Sequence, residues 1–188
     1  LYISKEKFKA VDLEQPVKAN RQFDLVLCLE VAEHLKETAA DNLIKTLTDH
    51  GKIIVFSAAI KDQGGQNHIN EQPHDYWQQK FLQYDFVYYD LFREMFWENK
   101  EIDLWYKQNM FLAAHKSIQF DEIINSTRIE NSVHTYIHPD LYDIYINRNK
   151  ELVNDNYILN SQLQQAIQQQ NFFYVTKKTI KRVLKKLS

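Results

Sequence analysis

Glu30, Glu33 and His34 follow one another in the stretch EVAEHL at residues 30–35. On a helix the spacing i, i+3, i+4 puts all three on one face, and two carboxylates with an imidazole make a donor set for a divalent metal. Nothing else metal-specific accompanies them in the sequence. The plainer account is an acid-rich first helical turn that complements the helix dipole, with His34 turned by a carboxylate toward a substrate mouth. A second concentration of chemistry lies at residues 64–77, GGQNHINEQPHDYW. His68 is its best candidate for a general base, because an imidazole ordinarily titrates near neutrality. Asn67 and Asn70 carry amides able to hydrogen-bond hydroxyls, and Tyr76 or Trp77 can stack on a sugar or an aromatic ring. The alternative is a loop whose His, Asn and Pro side chains satisfy its own backbone. His74 reads as ordinary surface.

These residues need elements to hold them. Residues 8–13 (FKAVDL) form a short apolar run ending in an acid before Pro16, which suits a strand leading into a loop. Residues 23–29 (FDLVLCL) are nearly continuous in apolar side chains, as expected of a strand covered on both faces in a parallel sheet. Helical spacing of Ala40, Leu43, Ile44 and Leu47 predicts a helix over 37–49, stopped by His50 and Gly51, and 52–56 returns to strand. The polar segment 57–75 is a long functional loop. Beyond it the pattern predicts a helix over 76–84, a strand over 86–89, a helix over 91–97 and a long edge or hairpin strand over 104–114. This is the rhythm of a doubly wound α/β fold, with its domain ending near Lys116 and a helical extension over 117–188. The extension reads as turn chemistry around His138-Pro139-Asp140 continuing as a helix to Tyr145, with Leu141, Ile144 and Tyr145 on one face, then a weak apolar seam over 149–170 (Leu152, Leu159, Leu163, Ala166) and a basic amphipathic helix over 175–187. In that last helix Ile180, Val183, Leu184 and Leu187 oppose Lys177, Lys178, Lys181, Arg182, Lys185 and Lys186, a pattern that can lie on an anionic membrane, bind a protein partner, or be a solvated face.

Composition narrows the class. The 188 residues are 44% hydrophobic and carry a formal net charge of -2, which argues against a protein built to coat nucleic acid. The single cysteine, Cys28, lies in an apolar run and fits a buried thiol in a reducing compartment, the cytosol. Only 3 glycines occur where average usage of about 7% would give roughly 13. An α/β nucleotide-binding domain normally spends glycine on its phosphate or cofactor turns.

The stretch Phe23 to Leu35, FDLVLCLEVAEHL, closely resembles the fourth-strand motif of class I S-adenosylmethionine-dependent methyltransferases, in which an FD-apolar strand runs into an E-x-x-EHL turn. Val11-Asp12-Leu13 is similar to the family's acid-bearing third-strand end, and residues 51–55 (GKIIV) to the strand after the next helix. The resemblance covers roughly residues 8–115. It implies the later part of a Rossmann-like methyltransferase domain, with the first strands and the glycine-rich loop expected before Leu1. It also implies S-adenosyl-L-methionine as cofactor, held by Asp12, Leu13, Leu29 and Glu30. Asp12 would accept from the adenine amino group, and the two leucines would offer apolar contact. The loop pattern GG-x-x-HIN-x-x-P-x-x-YW looks like that of bacterial methyltransferases of surface-glycan biosynthesis. The acceptor is then a hydroxyl of a sugar, glycan intermediate or other small metabolite, with His68 removing its proton and His34, Asn67, Asn70, Tyr76 and Trp77 around it. The contrasting expectation is a non-catalytic methyltransferase-like scaffold whose tail binds a partner.

Overall fold

The computed structural model describes residues 3–18 and 21–187, apart from the side chains of 183 and 185–187. It divides into two compact units, Leu1–His138 and Pro139–Ser188.

The first unit is an α/β layer structure around a four-stranded mixed sheet. Its strands are β1 (Val26–Leu29), β2 (Ile53–Ser57), β3 (Phe86–Tyr89) and β4 (Phe111–His115), in the order β1-β2-β4-β3. β1 and β2 run parallel, with Val26 opposite Ile54 and Leu29 opposite Ser57. They are joined through a 3-10 turn, Glu37–Ala39, and helix α1, Ala40–His50. β4 is antiparallel to both β2 and β3, pairing Phe56 with Phe111 and Tyr88 with Ala113. The continuous apolar runs of β2, β3 and β4 follow from this architecture, because both faces are covered. Alternate residues Cys28, Ile54, Phe56, Phe86, Tyr88 and Phe111 pack on one face against α1 and against Trp77 and Phe81 of α2, His74–Leu82. Val55, Val87, Tyr89, Leu112 and Ala114 face the other way, toward Leu91, Phe92 and Phe96 of α3, Leu91–Phe96. On that second face Leu25 and Leu27 stay exposed, at 49% and 61%, so β1, at the end of the strand order, is not covered on both faces as its apolar run predicts.

Three elements depart from expectation. Residues 8–13 form no strand. The segment after them is drawn instead to α1 and its approach: Asn42 Nδ2 donates to the Glu14 carbonyl, Thr46 Oγ1 accepts from Val17 N, and Lys36 pairs with Glu14 at 2.8 Å. The stretch 104–114 is not one strand. It splits into a one-and-a-half-turn helix α4, Leu104–Asn109, and β4, because buried Gln108 and Asn109 find side-chain hydrogen bonds that an edge strand would not supply. The first unit also runs past Lys116 to His138. Residues 117–138 fold back on the sheet through α5 (Glu122–Ser126), a bridge between Tyr89 and Arg128, and the bond from Ile129 N to Tyr88 O at 2.9 Å.

The second unit is a single helix, α6, Pro139–Leu187, of 49 residues. Pro139 suits a first helical position, and no glycine or proline interrupts the sequence after it, so the three separate segments expected there merge. Leu152, Leu159, Leu163, Ile180 and Leu184 are exposed along it. The side chains of Val183, Leu187, Lys185 and Lys186 lie outside the described residues. Among the described residues no helix is long and apolar enough to cross a membrane.

Candidate functional site

At the carboxyl end of β1 the chain turns sharply. Glu30 has φ 51°, a left-handed conformation that non-glycine residues rarely take and that is commonly found where function requires it. Its N–H donates to both the carbonyl and the Oγ of Ser57, each at 3.1 Å, tying the ends of the two parallel strands together. A 3-10 turn over Ala32–His34 follows directly, so Glu30 lies outside it. The expectation of Glu30, Glu33 and His34 on one helical face is therefore corrected: a strand-end turn separates the first from the other two.

The loop after β2 is strapped onto this turn. Ile69 N and Asn70 N both donate to the Glu33 carbonyl, at 2.9 and 3.0 Å. The strap brings His68 edge-on to His34, ring centroids 4.9 Å apart. Glu71 holds His68: its Oε1 accepts from His68 Nδ1 at 2.8 Å and from Gly64 N at 2.8 Å. Because a carboxylate only accepts, Nδ1 carries the hydrogen, and in the neutral ring Nε2 keeps its lone pair. His34 Nδ1 faces the Asn67 carbonyl at 3.3 Å, which leaves its Nε2 in the same state. The His68 ring lies against Gly65 so closely that a Cβ there would stand 2.3 Å from Cε1.

Electrostatically the floor of this turn is acidic. Glu33 is fully buried and neither carboxylate oxygen has a hydrogen-bond partner among the described residues; Glu30 Oε1 is likewise unpartnered. Burial, reinforced by the neighbouring Glu33, pushes the Glu30 carboxyl up to about 7 against the hydrogen bonds of Ser57 and Asn109. Burial and the charges of Glu33 and Glu30 push the Cys28 thiol up to about 12, so it stays protonated and inert at neutral pH. Behind the floor lies an amide network. Asn109 Oδ1 accepts from His74 Nε2 at 3.2 Å and from Gln108 Nε2 at 3.1 Å, while Asn109 Nδ2 and Gln108 Nε2 donate to Gln63 Oε1. Antiparallel β4 begins beside the end of β2, which is how α4 delivers Gln108 and Asn109 to this edge of the sheet.

The other sequence candidates separate into two groups. Asn67 is exposed, with φ 62°, and Tyr76 is half-buried with Lys80 Nζ 4.8 Å over its ring. Asn70 is buried and engaged by Ala32 O and Gln72 Nε2, and Trp77 is fully buried against Phe56, so both serve the packing of the loop and α2. His74 is buried rather than surface, because α2 begins there and turns it onto Phe111. Leu29 packs on the second core face at the end of β1. Asp12 is exposed and its Oδ1 accepts from Glu14 N at 2.9 Å, forming its own turn, with Leu13 half-buried beside it. Without a strand over 8–13, the side-by-side pairing of Asp12 with Glu30 is not formed. Gln63, Glu71, Gln108 and Asn109 had escaped the sequence reading; the one available signal was three consecutive polar side chains, 107–109, inside an aromatic and aliphatic stretch. Compared with protein-family models, with curated proteins and with solved structures, the chain matches none.

Proposed function

We propose that this chain belongs to a cytoplasmic S-adenosylmethionine-dependent methyltransferase that methylates a hydroxyl of a sugar, glycan intermediate or other small metabolite. The observation that carries the reading is the meeting of the EVAEHL turn and the post-β2 loop at the carboxyl ends of two parallel strands, where open α/β sheets take their ligands. When bound, the cofactor supplies a methyl already activated on a sulfonium.

Leu29 and Glu30 fit one wall of the cofactor site. The buried Glu30 Oε1, unpartnered among the described residues, is an acceptor for a ligand N–H or O–H. Asp12 and Leu13 do not fit as arranged, since they stand in an exposed turn without a strand to bring them there. On the acceptor side, Glu71 fixes the His68 tautomer so that Nε2 takes the hydroxyl proton, the division of labour of an oriented imidazole base. His34 on the turn and Asn67 on the loop stand beside His68 to position the acceptor, and Tyr76 follows on α2.

Transfer of labelled methyl from S-adenosylmethionine to a panel of free and nucleotide-linked sugars tests this, using the protein expressed from its full reading frame. His68→Ala is expected to lower kcat by about 100-fold or more while leaving cofactor affinity nearly unchanged. Equal loss of both would make the loop structural.

A further inference from the structure

Glu33 presents an unusual combination: complete burial and two carboxylate oxygens with no hydrogen-bond partner among the described residues. Burying a carboxylate beside a second carboxyl, Glu30, is strongly unfavourable unless the two share a proton or a cation meets them. One ligating atom from each of Glu33, His34 and His68 lies within 4.8 Å of the other two. Both imidazoles are already oriented from behind, His68 Nδ1 by Glu71 at 2.8 Å and His34 Nδ1 by the Asn67 carbonyl at 3.3 Å. A hydrogen bond from one ring nitrogen to a carboxylate or backbone carbonyl is the outer-shell partner that metal-ligating histidines ordinarily carry, and it presents the lone pair of the other nitrogen. We propose that Glu33, His34 and His68 bind a divalent first-row transition-metal ion, with Glu71 and the Asn67 carbonyl as positioning groups.

Two imidazoles and one carboxylate match zinc, cobalt, iron or manganese, whereas magnesium and calcium favour all-oxygen surroundings. Metal bonds of about 2.0–2.2 Å put the ligand atoms of one ion about 3–3.5 Å apart, so the three draw together on binding. His34 is the exposed member and has room to make that adjustment. This site shares His68 with the proposed methyl transfer. An ion there occupies the remaining nitrogen of His68, so it replaces the proton transfer assigned to that imidazole rather than adding to it.

The test uses the whole chain, stripped of metal by chelator and titrated with Co2+ and Zn2+ by calorimetry and by the Co2+ absorption spectrum. The expected result is one ion per chain, Zn2+ displacing Co2+, and no competition from millimolar Mg2+. Glu33→Gln and His34→Ala should each weaken binding by about 100-fold, and Glu71→Gln by about 10-fold. Gly65→Ala removes no ligand, yet its Cβ would stand 2.4 Å from His68 Nε2 and must push the ring away, so it too should weaken binding. The exposed His134→Ala should not. Melting of each variant, followed by circular dichroism, separates lost binding from lost fold, and exposed His34→Ala carries the test if Glu33→Gln unfolds. Absence of saturable binding of either ion below about 1 mM, or unchanged affinity in His34→Ala, overturns the proposal.

Discussion

His74 is only 2% exposed; its Nε2 donates to Asn109 while Nδ1 has no partner. Burial pulls its pKa down to about 4; the Asn109 hydrogen bond opposes that pull and Arg93 adds to it. In the unfolded chain the same imidazole titrates near 6.5. Above that pH both states are neutral and the contribution to stability is complete. As pH falls from about 6.5 toward 4, the unfolded state binds a proton that the fold refuses, and stability is lost. A gap of about 2.5 pH units corresponds to roughly 3 kcal/mol. Urea unfolding at about pH 7.5 and about pH 4.5 should therefore show a smaller acid loss in His74→Gln than in the wild type; parallel losses would contradict it. Nothing in the sequence around His74 distinguishes it from a surface histidine, because its burial depends on Phe111 and Asn109, 35 or more residues away. Glu33, His34 and His68 stand out by type and spacing, but their adjacency depends on the strap from residues 69–70 to the Glu33 carbonyl.

At the scale of elements, β2, β3 and α1 were legible because each couples one unbroken period to a clear stop. β4 and α4 were not. Aromatic and aliphatic side chains over 104–114 favour a strand locally, and tertiary hydrogen bonds to Gln63, His74 and His138 N decide for a helical first half. The two aromatic residues at the start of α2 also divide by element geometry. Trp77 points into the face shared with Phe56 and Phe81, whereas Tyr76 stands at its margin under Lys80. Trp77→Ala should cost about 3–5 kcal/mol of stability and Tyr76→Ala about 1 kcal/mol, read from urea midpoints. A Trp77→Ala protein of nearly full stability would return that ring to the candidate acceptor site.

As a whole molecule the chain joins an α/β unit, whose candidate site is acidic and histidine-lined, to a 49-residue helix about 73 Å long at 1.5 Å per residue. The α/β class follows from the two-sided apolar strands. The length of the helix was hidden because its apolar positions change face along the chain, leaving no single stripe to read as one element. The central claim is that the end of β1, at Leu29 and Glu30, takes S-adenosylmethionine. Calorimetric titration of the protein from its full reading frame with that cofactor tests the claim most directly. The account predicts saturable binding at one site, weakened about 10-fold or more by Glu30→Ala as a lost hydrogen bond to a charged group would require. No binding at millimolar cofactor would contradict it.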